Sequence, residues 1–155
     1  MDSFVDSDWA GDHTDRKSTS GYVIRFYITP IYWKTRKQNF VTKSSTHAEY
    51  IALSEATFEI LFVLNLLETF SINVENKINI YEDNLGAPTS AKLGNLTKNP
   101  KHIEVNFHFV NEHYKKGVID IVKISSDENM GDIFTKALPK EKFFKFRKML
   151  RIGEQ

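Results

Sequence analysis

The chain contains no cysteine. That excludes disulfides and thiolate metal sites, and it is compatible with a reducing compartment. No uninterrupted apolar run is long enough to cross a bilayer: Ile60 to Leu67 is short, and Glu59 and Glu68 flank it. The N-terminus lacks the pattern of a secretory signal. There is no glycine-rich phosphate loop and no nucleophile elbow. The five histidines do not form a zinc pattern. His108 and His113 would lie on different faces of a helix. No internal repeat, low-complexity tract or interdomain linker is visible. The formal net charge is only +1, so overall charge says little about partners.

What is present suits a single folded domain over residues 1–155. The composition is 41% hydrophobic and 13% aromatic, enough for a sizeable core and too apolar for disorder. Basic residues cluster. Lys136, Lys140, Lys142, Lys145, Arg147, Lys148 and Arg151 are opposed only by Glu141. Lys34, Arg36, Lys37 and Lys43 form a second group, and Lys92, Lys98, Lys101 and His102 a third. Such clusters can form a phosphate footprint, although any one of them also reads as a solvated face. Tyr22, Tyr32 and Trp33 could stack bases or belong to the core.

The apolar pattern orders the elements. Ser3 to Asp8 predicts a strand. Tyr22 to Ile28 alternates, with Tyr22, Ile24, Phe26 and Ile28 on one face, and Pro30 breaks it. Ile31 to Lys37 predicts a third strand, completing an antiparallel meander. A long helix is expected from about Thr46 to about Phe70. Leu53, Ala56, Ile60, Val63, Leu64 and Leu67 repeat at helical spacing. Ile51, Phe58, Phe62 and Leu66 add a second stripe, which predicts burial on two sides. Ile78 to Glu82 predicts a short strand, and Asp83 to Leu93 a helix weakened by Gly86 and Pro88. Ile103 to Tyr114 fits strand or helix, and Gly117 as a stop favours helix. Val118 to Ile124 predicts a strand, and the chain from Asp132 a helix broken near Pro139. This order predicts an α/β fold with a mixed sheet covered by helices. The first and fourth strands should run side by side and parallel, with ligands collecting at their carboxyl ends.

Four acids fall at distinctive places. Asp6 is near the end of the first strand, Glu49 in the first turn of the long helix, Asp83 at the end of the fourth strand, and Asp132 at the start of the last helix. Adjacent strands lie about 4.8 Å apart, so Asp6 and Asp83 could share an ion. Carboxylate oxygens suit magnesium or manganese. Two such ions can support phosphodiester hydrolysis. Each acid also has a local explanation. Asp6 or Asp8 could end a strand, Asp83 could cap a helix, and Asp132 could meet a helix dipole. Thr46-His47-Ala48-Glu49 fits a capping box.

Seven segments in order resemble the ribonuclease H domain of copia-type LTR retrotransposon Pol polyproteins. They are Val5 to Asp12, Asp15 to Tyr22, Tyr32-Trp33-Lys34 with Lys37-Gln38, Ser44 to Leu53, Glu82-Asp83-Asn84, Lys101 to Glu104, and Gly131 to Lys136 with Leu138-Pro139. The resemblance implies a ribonuclease H-like fold with a five-stranded mixed sheet flanked by helices. It implies an endonuclease that cuts the RNA strand of RNA–DNA hybrids with two Mg2+ ions, Mn2+ being a substitute. Asp6 would bridge both ions, Glu49 and Asp83 would hold one, and Asp132 the other. Lys34, Asn84, Lys101, His102 and Lys136 become candidates for nucleic-acid contact. A reverse transcriptase domain of the same polyprotein is the expected protein partner, with no membrane. The cytoplasm, a virus-like particle or the nucleus is the expected location. The chain reads as the C-terminal part of such a polyprotein, with no reverse transcriptase or integrase sequence in it. An inactive remnant of the same fold, binding nucleic acid or serving a structural role, is the competing reading, and the four intact acids favour activity.

Overall fold

A computed structural model describes residues 1–74, 77–84, 86 and 101–153, with residues 101–103 described by backbone alone. Three strands come first: β1 (Asp2–Asp8), β2 (Thr19–Phe26) and β3 (Thr29–Lys37). They are followed by α1 (Ser45–Thr69), β4 (Ile78–Glu82), α2 (Lys101–Lys115) and β5 (Ile119–Lys123). A short 3-10 helix (Met130–Phe134) and α3 (Lys140–Met149) close the described chain. The five strands form one sheet in the order β3-β2-β1-β4-β5. β1 pairs antiparallel with β2 and parallel with β4, and β4 pairs parallel with β5. The expected meander and the parallel β1–β4 pair are both present.

Alternation decides which layer each strand residue joins. Val5, Tyr22, Ile24, Ile78, Ile80 and Ile121 face α1 and α2 and form the larger core. Phe4 and Val23 face the other way, onto Met130, Phe146 and Leu150. The sheet is therefore covered on both faces. Ile103 to Tyr114 resolves as helix, inside α2. After α2 the chain turns at Gly117, whose φ of 71° suits glycine, so the helix stops where expected.

Several expected boundaries shift. β2 ends at Phe26, and Ile28 lies in the turn, 46% exposed, rather than on the strand's buried face. Pro30 does not separate the strands. It sits in β3 opposite Arg25, on the sheet edge, where its missing N–H matters least. The helix expected from Asp83 to Leu93 lies outside the described residues apart from Asp83, Asn84 and Gly86. The helix expected from Asp132 is the 3-10 helix plus α3, and Pro139 caps the latter.

α1 differs most from expectation. Its first stripe is buried, and Tyr50 stacks on Phe107 of α2 with ring centroids 5.5 Å apart. The second stripe is not a second buried face: Ile51 is buried, but Phe58, Phe62 and Leu66 are 65%, 56% and 45% exposed. By length and composition α1 could also cross a membrane, which counting uninterrupted apolar runs did not register. Half of its most apolar stretch is packed inside the fold.

Candidate functional site

Asp6 lies on the face of β1 opposite Val5, so it points at the layer formed by the 3-10 helix and α3. Asp83 follows β4 directly, and Asp132 sits inside the 3-10 helix rather than at the start of the last helix. One carboxylate oxygen from each of Asp6, Asp83 and Asp132 lies within 4.8 Å of the other two. Asp6 and Asp132 are buried and Asp83 is half-buried.

Two glycines permit this approach. A Cβ on Gly131 would stand 2.8 Å from the Val5 carbonyl carbon and 2.9 Å from the Asp6 nitrogen. A Cβ on Gly21, which pairs with Asp6, would stand 2.5 Å from Thr135 Cγ2. The 3-10 helix thus rests backbone-to-backbone on the sheet beside Asp6. Asn129, fully buried, ties the pieces together. Its Nδ2 donates to the Val5 carbonyl at 2.7 Å and to Asp83 Oδ1 at 3.1 Å, and its Oδ1 accepts from the Gly131 N–H at 3.0 Å. The Thr135 hydroxyl donates to Asp6 Oδ2, and the Ser126 hydroxyl to Asp83 Oδ2. Asn129 and Thr135 were not singled out from sequence. Asn129 stands just ahead of the Gly-Asp-Ile-Phe-Thr-Lys segment, and a cap-forming residue there was the available signal.

Glu49 sits beside this trio. It is 6% exposed and lines one recess with Asp83, Asn84 and Lys123. It is not in the first turn of α1 and not part of a capping box. Ser44 is the N-cap, accepting from the His47 N–H at 3.2 Å, so Glu49 falls one turn deeper. Its Oε2 is buried without a hydrogen-bond partner among the described residues. Next to it is Glu82, fully buried, with neither carboxylate oxygen hydrogen-bonded among the described residues.

Three of these acids, Asp6, Glu49 and Glu82, hold their protons more tightly than an ordinary carboxyl. Burial raises Asp6 to about 6, against the pull of the Thr135 hydrogen bond and Lys136, with Asp132 and Asp83 pushing further up. Glu49 is raised by burial first, then by Glu82, Asp6 and Asp83. Glu82 is raised by burial and then by Asp83. Lys136 sits among these acids, 2.9 Å from Asp132 Oδ1 and 3.5 Å from Asp6 Oδ2. Lys142 of α3 reaches Asp132 Oδ2 at 2.6 Å.

The other sequence candidates divide. Lys136 and Asn84 are at the site; Asn84 accepts from the Gly86 N–H at 2.8 Å. Lys34 is not. It pairs with Glu59 at 2.7 Å in a separate recess of about 410 Å³ shared with Tyr22, Phe58 and Phe109. Tyr22 is core, and Trp33 is 60% exposed. Lys101 and His102 open α2, and their side chains lie outside the described residues, as do Lys92 and Lys98.

No family model matches the sequence. The chain is 31% identical over 152 residues to the retrovirus-related Pol polyprotein from transposon RE2 of Arabidopsis thaliana, covering 98% of this chain. It is 32% identical over 143 residues to the corresponding polyprotein from transposon TNT 1-94 of Nicotiana tabacum, covering 92% of this chain. It spans about a tenth of the length of these relatives, 10% and 11%. Among solved structures, LC11 ribonuclease H1 in complex with an RNA/DNA hybrid superposes with a TM-score of 0.62 at 14% identity, covering 86% of this chain and 92% of that one. Prototype foamy virus protease-reverse transcriptase matches at a TM-score of 0.57 and 16% identity, over 98% of this chain and 20% of that one. The fold is the ribonuclease H fold.

Proposed function

Because the chain is a relative of copia-type transposon Pol polyproteins with a ribonuclease H fold, we propose that it is a metal-dependent endonuclease acting on the RNA strand of RNA–DNA hybrids. The observation that carries this reading is the convergence of Asp6 and Asp83, at the carboxyl ends of two parallel strands, with Asp132 of the 3-10 helix, one carboxylate oxygen of each lying within 4.8 Å of the others. The donor set is all oxygen, which fits Mg2+ or Mn2+ rather than a softer metal. The buried Glu49 Oε2, without a hydrogen-bond partner among the described residues, is the proposed further ligand.

In this reading Asp6, Glu49, Asp83 and Asp132 would hold the metal, Asp6 serving both of two ions, Glu49 and Asp83 one of them, and Asp132 the other. Bound ions would supply an activated water and neutralise the leaving oxygen of the phosphodiester. The chain's own groups fix the ligands. Thr135 orients Asp6, Asn129 orients Asp83, and the glycine contacts set the spacing between Asp6 and Asp132. The products would be a 5′-phosphate and a 3′-hydroxyl. Asn84 and the exposed basic residues of α3 are the proposed contacts to the hybrid, and a reverse transcriptase segment of the same polyprotein is the proposed protein partner.

The test is a labelled RNA–DNA hybrid incubated with the protein in Mg2+, Mn2+ or chelator, beside duplex DNA. The hybrid should be cut only with metal and the duplex left whole. Equal cutting in chelator would sink the metal mechanism, and no cutting with either ion would leave a binding module.

A further inference from the structure

Asp132 carries an ammonium on each of its oxygens, Lys142 on Oδ2 at 2.6 Å and Lys136 on Oδ1 at 2.9 Å. The two lysines are held differently. Lys136 also reaches Asp6 Oδ2 at 3.5 Å, so its ammonium bridges the two carboxylates that the proposed function assigns to one shared ion. Its side chain is 40% exposed and stands in the loop after the 3-10 helix, with open solvent to swing into. Lys142 is 23% exposed, belongs to the first turn of α3, and lies 5.4 Å from the ring centroid of buried Phe146. It approaches Asp132 from α3, and no contact with Asp6 or Asp83 accompanies it.

We propose that Lys136 is a built-in counter-cation of the metal-free site, which must leave the Asp6–Asp132 gap before a divalent ion can enter it, while Lys142 stays and positions Asp132. This rests on the metal-site reading above. The physical basis is charge. Three clustered carboxylates repel one another, and an ammonium between two of them relieves that repulsion when no ion is bound. A divalent ion competing for the same oxygens must displace the ammonium. The gap beside Asp132 should therefore fill at higher metal concentration than the side held by Glu49 and Asp83. Lys142 acts with the opposite sign: without it, a buried carboxylate loses the partner that fixes its rotamer.

The experiment is calorimetric titration of the full chain with Mn2+, without nucleic acid, for the parent, Lys136→Met, Lys136→Arg and Lys142→Met, beside melting in chelator. The parent should bind one ion tightly and a second more weakly. Lys136→Met should tighten the weaker site by about two- to fivefold, the size expected of a half-exposed ion pair, and should lower the melting temperature in chelator. Lys136→Arg, whose planar fork can hold both carboxylates, should weaken it. Lys142→Met should weaken the second site as well. A weaker constant unchanged or loosened in Lys136→Met would overturn the counter-cation role, even with two ions bound. A parent that binds no Mn2+ would overturn the metal-site reading itself.

Discussion

The Ser44 hydroxyl accepts the His47 N–H at 3.2 Å, and this bond sets where α1 begins. Glu49 then lies beyond the cap, with a buried Oε2 that has no hydrogen-bond partner among the described residues. Capping and metal binding are therefore separable. Ser44→Ala should cost about 1 kcal/mol of stability as a lost cap and leave most activity in place. Thr46→Ala should cost less than Ser44→Ala. Glu49→Gln should keep the fold, since a neutral amide replaces a carboxyl that is protonated in the metal-free protein, and lose most of the activity. Melting in chelator and hybrid cleavage in Mg2+, on the same samples, check this. A Glu49→Gln protein that cleaves at the parental rate would remove Glu49 from the site.

Much of the site was readable because strand periodicity is a short-range property. Once Val5 and Ile80 are assigned to the core, the neighbouring parallel strands bring Asp6 and Asp83 together with no further information. Asp132 is different. Its place depends on two glycine contacts and on Asn129, all long-range, so the sequence could mark the acid but not what holds it. The cap was misread because Ser44, Ser45 and Thr46 can all accept from an amide two or three residues on, and only backbone conformation chooses among them. The stripe of Phe58, Phe62 and Leu66 has the spacing of a buried face, but spacing does not reveal whether a partner covers it.

The contact between the 3-10 helix and the sheet predicts the effect of a single methyl group. In Gly131→Ala the new Cβ would meet the backbone of Val5 and Asp6 below 3.0 Å. Backbone cannot rotate away as a side chain can. The substitution should cost about 1–3 kcal/mol, as overpacking does, and should reduce cleavage by more than the stability loss explains, because Asp132 moves away from Asp6. Chemical denaturation and cleavage kinetics at a temperature where the variant is folded separate the two effects. Full activity in a folded variant would show that the spacing tolerates change.

The basic surface of α3 predicts a salt effect. Lys145 and Lys148 are exposed, Lys145 donating to the exposed Asp127 carbonyl at 2.5 Å, whereas Lys142 is engaged with buried Asp132 and must be left out of the test. Neutralising Lys145 and Lys148 together should weaken hybrid binding alike for all sequences. The slope of log affinity against log salt should fall by about 1 for each side chain that contacts a phosphate. Binding measured by anisotropy across a salt series decides it. An unchanged slope would mean that these lysines face only solvent.

The strongest prediction concerns pH in the absence of metal. Asp6, Glu82 and Glu49 are all raised, to about 6, about 8 and about 10, from ordinary values of 3.8, 4.5 and 4.5. Burial is the first cause in each case, and neighbouring carboxylates add to it. A carboxyl raised by folding contributes stability that is complete below its unfolded value and is lost as pH climbs through its folded value. In chelator the protein should therefore be most stable near or below pH 5 as far as these groups decide it, and should lose stability steadily from pH 5 to 10. The melting temperature should drop by roughly 5 °C or more across that range. Saturating Mg2+ should flatten the curve, because bound ions favour the ionised form of their ligands. Glu82→Gln should remove part of the loss between about pH 4.5 and 8 while leaving the part above about pH 9, which belongs to Glu49, unchanged. Its amide is neutral throughout, so the variant forfeits nothing that the protonated acid contributed. A melting temperature in chelator that rises between pH 5 and 8 would mean that these carboxyls are ionised in the folded protein, and the clustered acids would then have to be neutralised by Lys136 and Lys142 alone.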